Sequence, residues 1–227
     1  MEKRVWKIVM TFLLLIGMFP AGRESAKLVA GQHEKVEKMV VIDAGHGGDD
    51  PGKVGVHQEE EKTINLQIAK LLQKELENLG IRVVMTRETD ADLADENASN
   101  KKRQSLQRRC ELAAEVQPAC VVSIHQNSFT DASVKGAQVF YYSGSEEGKR
   151  LAEILQKCLV EGVDPGNHRV AKGNNSYYLL KKIESPTVIV ECGFLSNPEE
   201  AKLLSTEEYQ VKVAKAICQG IVEYLNE

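Results

Sequence analysis

The feature that most constrains this chain is an alternation. Short β-branched runs are separated by longer stretches in which apolar residues recur every three or four positions. The runs are Met39–Asp43, Ile81–Thr86, Ala119–Ile124, Ala137–Tyr142 and Thr187–Glu191. Each is five or six residues long and bounded mostly by glycine, proline or polar residues, the signature of a buried strand. Between them, Glu61–Leu79 places Ile64, Ile68, Leu71, Leu72, Leu76 and Leu79 on one helical face, and Gly80 supplies the stop. Further helices are predicted over Lys101–Val116 and Glu146–Val160. A last helix opens at Ser205, where Ser205-Thr-Glu-Glu208 has the form of a capping box, and buries Ala214, Ile217, Cys218, Ile221, Val222 and Leu225. Strands alternating with amphipathic helices predict an α/β fold with a central sheet and helices packed on it. No internal repeat is present.

The N-terminus follows a different logic. Lys3, Arg4 and Lys7 precede an apolar run from Ile8 to Pro20. A basic segment before an apolar core of this length is a secretory signal pattern, and it falls short of the ~20 apolar residues that span a bilayer. Residues 1–22 are therefore read as a signal peptide, with a membrane anchor as the alternative, and 23–37 as a linker. The rest, 38–227, suits one domain. A net charge of −4 gives no electrostatic reason to bind nucleic acid. Five cysteines without C-x-x-C spacing argue against a disulfide framework or a cysteine metal site, and Cys120, Cys158 and Cys218 read as small core residues.

The residues able to do chemistry fall at strand ends. His46 follows the first strand on a glycine-flanked turn, His125 follows Ile124, Glu191 ends the fifth run, and Glu61 opens the first helix. Open α/β sheets gather their sites at the carboxyl ends of strands. Two imidazoles and two carboxylates meeting there fit a zinc hydrolase: three protein ligands leave an open position for water, and the remaining carboxylate handles its proton. Taken singly, each has an ordinary explanation. His46 suits a turn, His125 a satisfied core position and Glu61 the positive end of a helix. Glu191 resists such an account, because a carboxylate ending an apolar strand is costly to bury without a partner.

Four ordered motifs then carry a resemblance: Val41-Ile-Asp-Ala-Gly-His-Gly-Gly48, Glu61-Lys62 leading into Asn65-Leu66, Ser123-Ile-His-Gln-Asn127, and Val190-Glu-Cys-Gly-Phe-Leu-Ser-Asn197. From about Lys38 to the C-terminus the chain resembles the zinc-dependent N-acetylmuramoyl-L-alanine amidases of the amidase 3 family. The resemblance implies a twisted, six-stranded sheet flanked by helices, so one strand beyond the five runs above. It implies Zn2+ held by His46, Glu61 and His125, with Glu191 catalytic; Glu59 and Glu60 adjoin Glu61, but the Glu-Lys pair of the family aligns with Glu61-Lys62. The substrate implied is peptidoglycan, cut between muramic acid and L-alanine. The segments Met85–Ala94 and Lys135–Tyr142, with the short form of the chain, are similar to the sporulation branch of the family. That branch acts in spore cortex, where stem removal permits muramic-δ-lactam formation, and in some spore formers works with a lipoprotein partner. Export to the cell envelope, between the spore membranes or outside the cell, follows, with membrane contact only through the N-terminal segment.

Ala44 departs from the proline common in the family, and Gln126 from a small or apolar residue. Cys192 is read as packing. Asn127 is a candidate substrate hydrogen-bond donor and Arg169 a candidate holder of a stem-peptide carboxylate. His57 is read as a solvated loop residue, and the Lys101–Arg109 charge run as the solvated face of a helix. Two other readings stand beside the amidase: a non-catalytic peptidoglycan-binding domain of the same fold, and a zinc peptidase cutting within the stem.

Overall fold

A computed structural model describes residues 38–227; the signal or anchor at 1–22 and the linker at 23–37 lie outside the described residues. The elements run β1 (Met39–Ala44), α1 (Glu61–Asn78), β2 (Arg82–Met85), α2 (Lys101–Val116), β3 (Cys120–Asn127), β4 (Gln138–Tyr142), α3 (Glu146–Gly162), β5 (Lys172–Asn174), α4 (Tyr178–Lys182), β6 (Thr187–Phe194), α5 (Pro198–Leu204) and α6 (Glu207–Asn226). The strands form one six-stranded sheet in the order β2-β1-β3-β6-β4-β5. β2, β1, β3 and β6 are mutually parallel, β4 runs antiparallel to β6, and β5 is parallel to β4.

Side-chain alternation divides the sheet into two faces. Val40 and Ile42 of β1, Val122 and Ile124 of β3, and Val188 and Val190 of β6 enter the main core with Ile68 and Leu72 of α1, Leu151 and Leu155 of α3, and Ile217 and Ile221 of α6. The intervening residues point the other way. There Val41 and Val121 pack with Ala113 of α2, and Phe140 and Ile189 pack with Leu180 of α4. Asp43, Ser123, His125 and Glu191 share the parity of this second face, so the polar residues of the strands are sorted away from the main core. At Gly220 a methyl group would stand 2.7 Å from Leu155 Cδ2, which fixes a close crossing of α3 and α6.

Helix ends follow local chemistry. α1 stops at Leu79 and Gly80 (φ 76°), where Gly80 N donates to Glu77 O and Ile81 N to Leu76 O, the paired bonds of a Schellman turn. Leu79, counted above with the apolar face, is the C-cap and is 61% exposed. Asn100 and Ser145 cap α2 and α3 through their side chains.

Two expectations change, and the sixth strand implied by the resemblance is present. The last helix opens one residue later than the capping-box pattern predicts: Thr206 Oγ1 accepts from Tyr209 N, while the Ser205 hydroxyl donates back to Ala201 O and so closes α5, a helix that periodicity did not reveal. β3 and β6 extend past Ile124 and Glu191, taking His125, Asn127 and Phe194 into the ladder. The sixth strand is β5, three residues at the sheet edge, where the sequence Lys-Gly-Asn carries no β-branched residue to announce it.

Candidate active site

His46, Glu61 and His125 converge at the carboxyl edge of β1 and β3, and one ligand atom of each lies within 4.8 Å of the others. Glu61 Oε1 stands 3.2 Å from His46 Nε2 and 2.9 Å from His125 Nδ1. Glu61 is 2% exposed and each imidazole 19%. The imidazole rings meet edge to face at 5.0 Å between centroids.

Several devices hold this geometry. His46 has φ 61°, a left-handed conformation uncommon outside glycine, which turns its ring back over the strand end. The backbone around it is clamped by two arginines from other elements. Arg109 of α2 pairs with Asp43 and donates to Ala44 O (3.0 Å) and His46 O (2.8 Å). Arg87 donates to Ala44 O (2.9 Å), Gly45 O (3.0 Å) and Lys62 O (2.7 Å). Thr86 and Ser123 hydroxyls complete the shell of Asp43 at 2.7 and 2.5 Å. The His46 ring is oriented by Asp50, whose Oδ2 lies 2.8 Å from Nδ1 and leaves Nε2 facing Glu61. A carboxylate on the far ring nitrogen is the usual way a protein fixes a ligating imidazole. Glu61 accepts from Lys53 N, Gln126 N and the Asn65 amide. Gln126, the departure noted above, bonds in turn to Asn65 Oδ1 at 3.2 Å. Space is tight: a methyl group on Gly45 would sit 2.3 Å from His125 Cε1, and one on Gly52 (φ 69°) 2.5 Å from Glu61 Oε2.

Glu191 joins the group because it is the register partner of His125 on the neighbouring strand. It is buried, and its Oε2 has no hydrogen-bond partner. Burial, together with the negative charge of Glu61, pushes its carboxyl pKa up to about 7 against the pull of the imidazoles. Glu61 behaves oppositely. Burial opposes its charge, yet hydrogen bonds and charge from His125 and His46 outweigh that and hold its carboxyl well below the usual range. Burial likewise opposes a charged His125, and Glu61 reverses it, raising the pKa. The centre thus favours positive charge between the two rings. Borderline nitrogen donors with one carboxylate oxygen match zinc, so the donor set fits such an ion, with Glu191 beside it.

A cavity of about 520 Å³ opens onto the group, lined among others by Lys102, Asn127, Tyr177 and Glu191. Asn127 is therefore brought to the site, its Oδ1 accepting from Ser128 N. Arg169 is not: its guanidinium donates to Lys135 O and Gln138 Oε1, lies over the Phe194 ring and lines a separate cavity with His168. His57 is exposed, with Nε2 3.2 Å from Pro198 O. Cys192 packs in the main core, as expected. The Lys101–Arg109 run is not uniformly solvated, since Arg109 is 4% exposed. Sequence reasoning missed Asp50, Arg87, Arg109 and Tyr177. The signal available for Arg109 was its place one turn before Ala113 on the single apolar stripe of a charged helix.

An α/β sheet whose carboxyl edge gathers two imidazoles, a buried carboxylate between them and a second carboxylate with one unpartnered oxygen has the layout of a metal-site hydrolase. The chain belongs to the Amidase_3 family of N-acetylmuramoyl-L-alanine amidases, whose model matches residues 40–223, and it is an amidase of that kind, acting on peptidoglycan. It is similar to the germination-specific N-acetylmuramoyl-L-alanine amidase of Bacillus subtilis, 37% identical over 193 residues that cover 84% of this chain and 81% of that protein. Among solved structures it is similar to the CwlD amidase of Clostridioides difficile in complex with the GerS lipoprotein, with a TM-score of 0.81 and 40% identity over 83% of this chain and 98% of that one. The amidase AmiC2 of Nostoc punctiforme superposes with a TM-score of 0.74 and 33% identity, covering 84% of this chain and 98% of that chain.

Proposed function

We propose that the amidase is zinc-dependent, with His46, Glu61 and His125 as metal ligands and Glu191 as the proton-transfer residue. The single observation that carries this is the buried, unpartnered Oε2 of Glu191 beside the three-residue donor group. Bound zinc would polarise the scissile carbonyl and bring its water near a pKa of about 7. Glu191, buried beside the donor group, accepts the proton of the attacking water and returns it to the departing L-alanine nitrogen. Asp50 keeps His46 in the tautomer that offers Nε2. Asn127, on the cavity wall, is suited to hold the substrate backbone.

Substitution of Glu191 by Gln tests the assignment. Metal content should stay at the wild-type level while release of stem peptides from peptidoglycan falls by about 10²- to 10⁴-fold. Full activity in that variant rejects the role. Mass spectrometry of the products separates an amidase, which frees intact stems from muramic acid, from a peptidase, which shortens them.

The finer reading is a role in spore cortex, where removal of stem peptides prepares muramic acid for δ-lactam formation. The likeness to the germination-specific relative and to CwlD supports it. Export by the N-terminal segment to the cell envelope belongs to the same proposal, as does a lipoprotein partner, on the analogy of the CwlD–GerS complex. Spores of a deletion strain carrying a normal content of muramic-δ-lactam would reject the cortex role.

A further inference from the structure

The cavity that opens onto Glu191 is continuous with a second one, of about 310 Å³, and the two share His46, Asp50, Lys102, Leu106, His125 and Leu179. Together they form a groove that passes the donor group, with α2 as one wall. The groove is rich in carboxylates: Asp43, Asp49, Asp50 and Asp92 line the smaller part, Glu61 and Glu191 the larger. Such a surface repels an acidic ligand unless a cation on it is free to receive one. Two of the four lysines and arginines that line it are committed. Arg109 is paired with Asp43, and Lys101 bonds Asp49 at 2.6 Å. Lys102 is exposed and forms no hydrogen bond or ion pair among the described residues. Its charge is felt at Asp50, but that carboxylate is already taken by His46 and Gly52 N. Leu106, one helical turn on, gives the lysine stem an apolar neighbour on the same wall.

We propose that Lys102 is a specificity residue that receives the free carboxylate of the stem peptide. The relevant group is the α-carboxylate of the γ-linked acidic residue that follows L-alanine. The assignment rests on the amidase reading. Its geometry is simple. Two extended residues span at most ~7 Å, so this carboxylate must fall within that distance of the scissile nitrogen, inside the groove. Lys53 is the competing free cation, but it lines only the larger cavity, whereas Lys102 lines both.

The test uses zinc-loaded protein and two sets of short glycan strands whose stems differ only in carrying this group as carboxylate or as carboxamide. The wild-type enzyme should favour the acid about three- to tenfold in kcat/KM, the size expected for one partly solvated charge contact. Lys102→Met should bring the ratio to about one through a higher KM for the acid, Lys102→Arg should restore much of it, and Lys102→Glu should invert it. Lys53→Met should keep the wild-type ratio. Cleavage of both substrates with a ratio near one in the wild type, or loss of the ratio in Lys53→Met and not in Lys102→Met, overturns the assignment while leaving the amidase intact. Failure of the wild type to release stems from either substrate overturns the amidase reading itself, and the assignment with it.

Discussion

His125 and Glu191 are direct register partners on the adjacent parallel strands β3 and β6, and both side chains point to the same face of the sheet. Parallel pairing with period-two alternation makes this obligatory: once Val121 is set opposite Thr187, each pair further along is fixed. The two residues meet because of the ladder, although 66 positions separate them. The ladder slips between His125 and Asn127, just past this pair, an irregularity of the kind often found beside active sites.

Removal of the metal should abolish activity, and added zinc should restore it. His125→Ala should lose the stoichiometric zinc that the wild type binds, measured by elemental analysis of dialysed protein. Retention of one zinc per chain in that variant would exclude His125 as a ligand.

Gly45→Ala should weaken metal binding by about 10- to 100-fold without unfolding the domain. The added methyl would overlap the His125 ring, whose Cε1 and Nε2 lie 2.3 and 2.4 Å from its position. Competition with a chromophoric chelator reads the affinity, and circular dichroism reports the fold. Wild-type affinity would mean that the ring is free to move aside.

Asp50→Ala should also lower zinc affinity by about 10- to 100-fold, because His46 loses the carboxylate that sets its ring and tautomer. The effect should be smaller in Asp50→Asn, which keeps an oxygen acceptor at the same place. Equal losses in the two variants would count against an orienting role.

The Asp43–Arg109 pair should make the domain acid-sensitive. Burial works against the Asp43 charge, but Arg109, with the Ser123 and Thr86 hydroxyls, outweighs it and leaves the pKa lowered. A carboxyl whose folded pKa lies below its unfolded value of about 3.9 contributes stability that is fully present above that value. That stability is lost as pH falls through the folded pKa. Urea unfolding across pH 2 to 6 should therefore show a shallower acid limb in Asp43→Asn than in the wild type. Arg109→Met, which strands a buried carboxylate, should cost about 3–5 kcal/mol at neutral pH.

Much of this was legible in one dimension. Apolar periodicity located five strands and four helices within a few residues, because strand and helix burial leave different repeats. The motifs around His46, Glu61, His125 and Glu191 marked four residues that the fold brings together. Other parts carried no local signal. β5 exists because β4 offers it an edge, not because Lys172-Gly-Asn174 prefers to be extended. α5 is a single short helix, set by Asn197 accepting from two backbone amides and by Pro198 at its first position.

What the sequence alone determined is the list of groups able to do chemistry and the layered fold that carries them, since both follow from residue type and spacing. What only the tertiary structure decided is which of many polar residues share the site. Asp50 became the partner of His46, Arg87 and Arg109 became clamps on its backbone, Lys102 became a wall of the groove, and Arg169 was drawn instead to Lys135 and Gln138. The reason is physical: a charged side chain is read from sequence as solvated, and only packing from distant segments withdraws it from water and selects its partner.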